Sequence, residues 1–320
     1  MKSPLHKEQT VEGITVAEFY RHSGSALKLQ LIAGKNRLDR IIGEKSLNRP
    51  ALALTDYFRF FAHKRVQVLG AGEMAYLRDS DEEFIQRVLE KMARRQIPCF
   101  IISRNLAPTK ALIDTSERFE IPLFRSPLKS KSLTTEATLR LEELFAPRTT
   151  LHGTLLDVRG IGVVITGRSG IGKSEAALGL IERGHSLVAD DLVHVRLLRD
   201  HELVGTGTEL TRGYMECRGI GIIDISKLFG IRSVRIEKRI DLIISYVHPD
   251  DGGDEDRTGL DQKYLNILDT EVPHIEIPVR PGRDMARLTE VAAMVQALRQ
   301  TGHNAAEDFN QRLINAITGT

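Results

Sequence analysis

The segment Gly162-Val163-Val164-Ile165-Thr166-Gly167-Arg168-Ser169-Gly170-Ile171-Gly172-Lys173-Ser174 restricts what this chain can fold into more than any other. An apolar run leads into G-x-x-x-x-G-K-[ST], and a helix-forming stretch over residues 173–183 follows at once. Strand, glycine-rich turn and helix start, in that order, are the setting in which this pattern binds phosphate. The glycines let successive backbone N–H groups curl around an anion, and the helix dipole adds positive potential at the same point. Lys173 can reach β- and γ-phosphates, and the Ser174 hydroxyl is a ligand for Mg2+. The candidate nucleotide-binding residues are therefore Gly167, Arg168, Ser169, Gly170, Ile171, Gly172, Lys173 and Ser174. Phosphate binding alone leaves ATPase, GTPase, small-molecule kinase and protein kinase open.

Length and composition narrow the setting. The 320 residues, 41% of them apolar, are enough for two domains with a core each. Lysine and arginine number 45 against 43 aspartate and glutamate, so the formal charge of +2 gives no global field to hold a nucleic-acid backbone. Cys99 and Cys217 stand far apart in unlike contexts, which excludes a disulfide framework or zinc spacing and fits a reducing cytoplasm. Residues 1–12 have no apolar h-region, and runs such as 160–167 and 242–247 are too short to span a bilayer. A soluble, cytoplasmic protein without membrane or nucleic-acid partners is expected.

Before residue 147, strand-like runs (27–33, 65–69, 99–102) alternate with helical periodicity (79–96, 134–144), an α/β pattern. The stretch 79–96 opens on Asp79-Ser80-Asp81-Glu82-Glu83 and closes on Arg94-Arg95, charges that complement helix ends. Pro147 disfavours helix in the residue before it and ends the second helical stretch. We place a boundary there, giving an N-terminal α/β domain of uncertain role over 1–147 and a P-loop domain over 148–320. Within the second, 155–158 and 162–166 read as strands, and 284–299 and 305–317 as helices joined near Gly302. The acidic stretch Asp250-Asp251-Gly252-Gly253-Asp254-Glu255-Asp256 reads as a loop made flexible by its glycines.

The P-loop's surroundings choose among the enzymes it serves. Asp190 and Asp191 end the run Leu187-Val188-Ala189, where a short strand delivers two carboxylates beside the P-loop. In phosphoryl transfer one acid can hold Mg2+ or its water, and another can take the proton of an attacking hydroxyl. The run Gly167 to Glu175, then Glu182-Arg183-Gly184-His185-Ser186-Leu187-Val188-Ala189-Asp190-Asp191, resembles the HPr kinase/phosphorylase family. Further matches follow at Leu151-His152-Gly153, Met215 to Asp224, Asp256-Arg257-Thr258-Gly259-Leu260-Asp261 and Pro278-Val279-Arg280-Pro281-Gly282-Arg283, with weaker echoes at Asn48-Arg49-Pro50 and 66–70. Arg168 stands where the family commonly has an acid, and Asp284 where asparagine is usual.

The resemblance implies ATP-dependent phosphorylation of a serine on the phosphocarrier protein HPr or an HPr-like carrier, reversed by phosphorolysis in which inorganic phosphate yields pyrophosphate. It implies a catalytic fold akin to phosphoenolpyruvate carboxykinase, and a homohexamer. Carried over residue by residue, Asp191 is the acid–base group, His152, Lys173 and Arg257 complete the catalytic set, and Ser174 and Glu216 hold Mg2+. Asp190 is a second carboxylate near the metal, and Pro278, Val279, Arg280, Pro281, Gly282 and Arg283 form a loop tied to phosphorolysis. Two other readings stand beside it: a P-loop kinase of a small hydroxylated metabolite, and a nucleotide-sensing module whose ATP binding shifts an interface with little chemistry.

Overall fold

A computed structural model describes residues 11–198, 202–249 and 262–318. The chain divides into two compact units, 11–146 and 147 onward.

The first unit runs β1 (Ile14–Thr15), α1 (Val16–Ser23), β2 (Gln30–Ala33), β3 (Ile41–Ile42), β4 (Leu47–Asn48), α2 (Ala51–Leu54) and β5 (Val66–Leu69). It continues with α3 (Ala71–Asp79), α4 (Glu82–Ala93), β6 (Phe100–Ile102), α5 (Lys110–Arg118), β7 (Leu123–Arg125) and α6 (Ser130–Leu144). Its main sheet has the order β2-β7-β6-β5-β4, parallel except for the antiparallel edge strand β2. Both faces are covered. Ile85, Val88, Leu89 and Met92 of α4, at helical spacing, pack with Leu112 on Phe100, Ile102 and Leu123. Phe19 of α1 and Leu133, Ala137 and Leu141 of α6 pack on Val66, Val68, Ile101 and Phe124.

One expectation is corrected here. The stretch 79–96 is not a single helix, because Ser80 is extended and Asp81 starts a new one by accepting from Phe84 N at 2.8 Å. Asp79 instead closes α3, a helix that sequence periodicity did not reveal.

The second unit contains β8 (Arg148–His152), β9 (Thr154–Val158), β10 (Ile161–Gly167), α7 (Lys173–Glu182), β11 (Ser186–Ala189), β12 (Leu192–Leu197) and β13 (Leu203–Thr206). There follow β14 (Tyr214–Cys217), β15 (Gly221–Asp224), α8 (Ile225–Phe229), β16 (Glu237–Arg239), β17 (Leu242–Val247), β18 (Lys263–Ile267), β19 (Thr270–Pro278), α9 (Met285–Gln300) and α10 (Ala305–Thr318). A six-stranded sheet, β11-β9-β10-β17-β19-β18, carries α7 and α9 on one face, over Leu156, Val163, Ile165, Leu242 and Ile244. A second sheet, β16-β13-β12-β8, covers the other face over Leu155, Val164 and Ile243. Buried on both sides, β10 is an unbroken apolar run rather than an alternating one.

Strand direction positions the site. β10 is parallel to β17, and β17 to β19. β11 is antiparallel to β9, which is antiparallel to β10, so β11 runs with β10. The segments after β10, β11, β17 and β19, and the one before β9, therefore lie along one edge. In open α/β sheets that carboxyl edge is where ligands bind. Among the described residues no helix is long and apolar enough to cross a membrane.

Candidate active site

The P-loop leaves β10 at Gly167 and enters α7 at Lys173. Gly170 and Gly172 take φ of +83° and +100°, values that a side chain would strain, and both are needed for the turn to close over an anion. Ile171 packs onto the core that holds α7 and so anchors the loop. Lys173 Nζ donates to the carbonyls of Gly167 at 3.0 Å and Arg168 at 3.2 Å, which keeps the ammonium over the loop's concave side. Ser174, in the first turn of α7, is half-buried.

The two acids after β11 have opposite environments. Asp190 faces inward and accepts from Thr154 Oγ1 at 2.8 Å. Burial pushes its carboxyl up, against the pull of Thr154 and of the backbone amides of Asp191 and Glu216. Asp191 is exposed and left-handed at φ +65°. Its carbonyl accepts from Gly153 N at 3.0 Å, and the Asp190 carbonyl accepts from Leu192 N at 2.8 Å, so the turn is held from both sides.

His152 ends β8 opposite Leu192, the residue that follows Asp191, in the β8–β12 ladder. Gly153 makes this approach possible, since a Cβ there would stand 2.5 Å from the Ile165 carbonyl oxygen. Along β14, Met215 and Cys217 are buried, Met215 against the core under α7, while Glu216 is exposed. Burial raises the Cys217 thiol, and the carboxylates of Glu175 and Asp190 raise it further. Arg218 Nη2 donates to Ser169 Oγ at 3.3 Å and ties the β14–β15 hairpin to the P-loop.

The segment Pro278–Arg283 begins at the end of β19, where Val279 N donates to the Val247 carbonyl at 2.9 Å. Gly282 turns it at φ +81°, and Arg283 Nη1 donates back to the Pro278 carbonyl at 3.4 Å. Asp284 then caps α9 by accepting from Arg287 N at 2.9 Å and pairs with Arg183 Nη2 at 2.5 Å. Arg257 and the acidic stretch 250–256 lie outside the described residues.

The carboxyl edge thus gathers His152, Asp190, Asp191, the P-loop and the segment 278–283. Ser174, Glu216 and Asp190 offer hydroxyl and carboxylate oxygens, the donor class that Mg2+ takes. Among the described residues no three His, Cys, Asp or Glu side chains are grouped so that they could hold a metal ion. Sequence reasoning missed Thr154, the close approach of Gly153 to Ile165 and the Arg218–Ser169 contact. Gly153 and Arg218 stood inside quoted motifs, whereas nothing local marks Thr154.

Comparison with known proteins gives two family models that together take up most of the chain. HPr Serine kinase N terminus matches residues 14–141, and HPr Serine kinase C-terminal domain matches residues 143–313. The HPr kinase/phosphorylase of Leptospira biflexa serovar Patoc is 43% identical over 305 residues, 95% of this chain and 94% of that one. That of Bacillus subtilis is 42% identical over 289 residues, 90% of this chain and 93% of that one. The solved Hpr(Ser) kinase/phosphatase from Coxiella burnetii aligns at 37% identity with a TM-score of 0.45, covering 50% of this chain and 97% of that one.

Proposed function

The chain belongs to the HPr serine kinase family, and from that membership we propose that it phosphorylates a serine of HPr, or an HPr-like carrier, with ATP, and reverses the reaction by phosphorolysis. It is an enzyme, a serine protein kinase with phosphorylase activity. The single observation that carries the reading of the site is the convergence of the P-loop, the left-handed Asp191 and the segment 278–283 on one sheet edge.

In the forward direction the Asp191 carboxylate takes the seryl hydroxyl proton as the seryl oxygen attacks the γ-phosphorus. The bond from that phosphorus to the β–γ bridging oxygen breaks, and ADP leaves. In reverse an oxygen of inorganic phosphate attacks the phosphorus of phosphoserine, the ester bond breaks, and the same Asp191 returns a proton to the seryl oxygen, giving pyrophosphate and free serine. One acid–base group serves both directions, as microscopic reversibility requires. Lys173 and the P-loop amides neutralise phosphate charge, and His152 orients Asp191 or a phosphate oxygen beside it. Ser174 and Glu216 would hold Mg2+, which neutralises charge building on the phosphates. Arg257 would stabilise the transferring phosphoryl group through its planar fork. Arg280 and Arg283 would hold the free phosphate that the reverse reaction needs.

We further propose a catalytic unit akin to phosphoenolpyruvate carboxykinase and a cytoplasmic homohexamer. The apolar residues left exposed on α9 (Leu288, Val291, Met294, Leu298) and α10 (Phe309, Leu313, Ile314, Ile317) support assembly with other copies.

The test is incubation of the protein with Mg·ATP and HPr, read as phosphoserine by intact mass, followed by excess phosphate and a pyrophosphate assay. Phosphoserine and then phosphate-dependent pyrophosphate are expected. Absence of phosphoserine refutes the protein-kinase reading and advances the small-metabolite kinase, while ATP binding without any transfer advances the nucleotide-sensing module.

A further inference from the structure

Beneath the turn that carries Asp191 lies a row of three polar side chains that no step above uses. Val164, Ile243 and Val272 pack on the face of the six-stranded sheet that the β16-β13-β12-β8 sheet covers. Two residues further along each strand, and so on the same face, stand Thr166 of β10, Ser245 of β17 and His274 of β19. These strands are neighbours and run parallel, so an apolar row gives way to a polar one as they approach the carboxyl edge. Thr166 Oγ1 and Ser245 Oγ are 2.8 Å apart, and Ser245 Oγ lies 2.8 Å from His274 Nε2.

One end of this chain reaches the site. Thr166 is buried and directly precedes Gly167, whose carbonyl accepts from Lys173 Nζ at 3.0 Å. The other branch of its side chain, the methyl group, sits under the His152-Gly153 turn. There Cγ2 stands 3.3 Å from the position that a Cβ of residue 153 would take. Gly153 N in turn donates to the Asp191 carbonyl at 3.0 Å. A β-branched side chain has one stiff torsion, so tying Oγ1 to Ser245 also fixes the place of the methyl group.

His274, at the other end, sets the direction in which the chain donates. Burial holds its imidazole below the usual histidine value. Glu276, two residues along β19, pulls the other way, and Lys263, its register partner on β18, adds to the lowering. β17 contributes Ile243 and Ser245. The covering sheet turns Leu151, Val193 and Val195 inward and, by alternation, His152, His194 and Arg196 outward. A neutral ring can accept from Ser245 at Nε2 while Ser245 accepts from Thr166, so both hydroxyl protons are used. A protonated ring must donate to Ser245 and Ser245 to Thr166, which leaves the Thr166 proton without a place in the chain.

We infer that Thr166, Ser245 and His274 are positioning residues for phosphoryl transfer, a relay that holds the Thr166 methyl under Gly153 and, through Gly153, the turn at Asp191. The inference rests on the reading of Asp191 as the acid–base group. The relay is built from three strands that each end at the site, so it fixes the turn from the sheet and not from the loops around it.

The test is single-turnover phosphorylation of HPr by the full chain at saturating Mg·ATP, with ATP affinity measured separately. Ser245→Ala and His274→Ala should each slow transfer about tenfold with ATP affinity within about twofold of wild type, since a displaced acid–base group weakens transfer and not nucleotide binding. The double variant should be no slower than the slower single one, because either change breaks the same chain. Thr166→Ser keeps the hydroxyl and removes the methyl, and should be as slow as Ser245→Ala. His274→Gln, whose amide can meet Ser245 but does not titrate, should transfer within about threefold of wild type near pH 7.5 and lose part of the acid-side fall that wild type shows between about pH 5 and 7. Multiplying losses in the double variant, a Thr166→Ser variant as fast as wild type, or a wild-type pH profile in His274→Gln overturns the relay. Transfer and ATP affinity lost in equal measure mark a role in folding alone, and also overturn it. If Asp191→Asn transfers as fast as wild type, the reading of Asp191 fails and the relay falls with it.

Discussion

Replacing Asp191 by asparagine isolates chemistry from fold, because the backbone conformation at this position tolerates the change. Asp191 sits at φ +65° with its carbonyl bonded to Gly153 N, and asparagine adopts this left-handed region about as readily as aspartate. The side chain is exposed, so the substitution leaves no buried group unpaired, and stability should stay within about 0.5 kcal/mol of wild type. Alanine lacks the local side-chain bonding that eases this conformation and should cost about 1–2 kcal/mol. For a unit of this size that lowers the melting temperature by roughly 2–8 °C. Loss of a general base lowers phosphoryl transfer by about 10²–10⁴-fold, equivalent to roughly 2.7–5.5 kcal/mol of barrier. The assay is single-turnover phosphorylation of HPr at saturating Mg·ATP, then pyrophosphate formation from phosphorylated HPr, with nucleotide affinity measured separately. The Asp191→Asn variant should bind ATP normally and fall by a similar factor in both directions. A fall below tenfold, a proportional loss of ATP affinity, or a defect in one direction only would refute the assignment.

Gly170→Ala places a side chain at φ +83° and should cost about 1 kcal/mol of loop strain, weakening ATP binding about fivefold in a fluorescent-nucleotide titration. Arg280→Gln/Arg283→Gln should lower pyrophosphate formation at least tenfold, while forward transfer in the phosphoserine mass assay stays within about threefold. Asp284→Asn keeps the α9 cap but loses the exposed pair with Arg183, so stability should change by less than about 1 kcal/mol. The apparent KM for phosphate should fall about twofold as a negative charge beside Arg283 is removed, and a rise would contradict a phosphate subsite there. In the first unit, burial pushes the Glu73 carboxyl up, but Arg49 and the amides of Glu73 and Gly70 hold it below the ordinary value on balance, so its contribution is present above about pH 4.3 and lost as pH falls through the lower folded value. Arg49→Met should therefore destabilise by about 1 kcal/mol at pH 6, discounted because Arg49 is half exposed, with the difference from wild type closing as pH falls through the lowered folded value in urea unfolding.

What could be read from the sequence follows the range of the interactions that specify it. The P-loop is local: an apolar run, three glycines and a helix start within thirteen residues set its geometry. Likewise the tail helices follow from spacing, although α9 begins where Asp284 caps it. The break at Ser80 was missed because both flanking segments are helical, so periodicity continues across a single extended residue. The left-handed turn at Asp191 depends on Gly153, and the orientation of Asp190 on Thr154, thirty-six residues earlier in the chain. Such contacts need strand order, and no window of sequence contains it.

Strand order also explains why motifs so far apart meet. With β10, β11, β17 and β19 all running one way, the segments that follow them reach the same edge, and the turns that precede them reach the other. Thus Arg183 and His185, in the same family-like run as Asp190 and Asp191, belong to the opposite edge, because β11 separates them. Asp284 joins the two regions: it follows Arg283 of the proposed phosphate segment, caps α9, and pairs with Arg183 at the end of α7. Glu290, less than two turns further along α9, takes Arg159 and Arg183 from that opposite edge. Through Asp284, Arg183 at the end of α7 is thus tied to the end of segment 278–283.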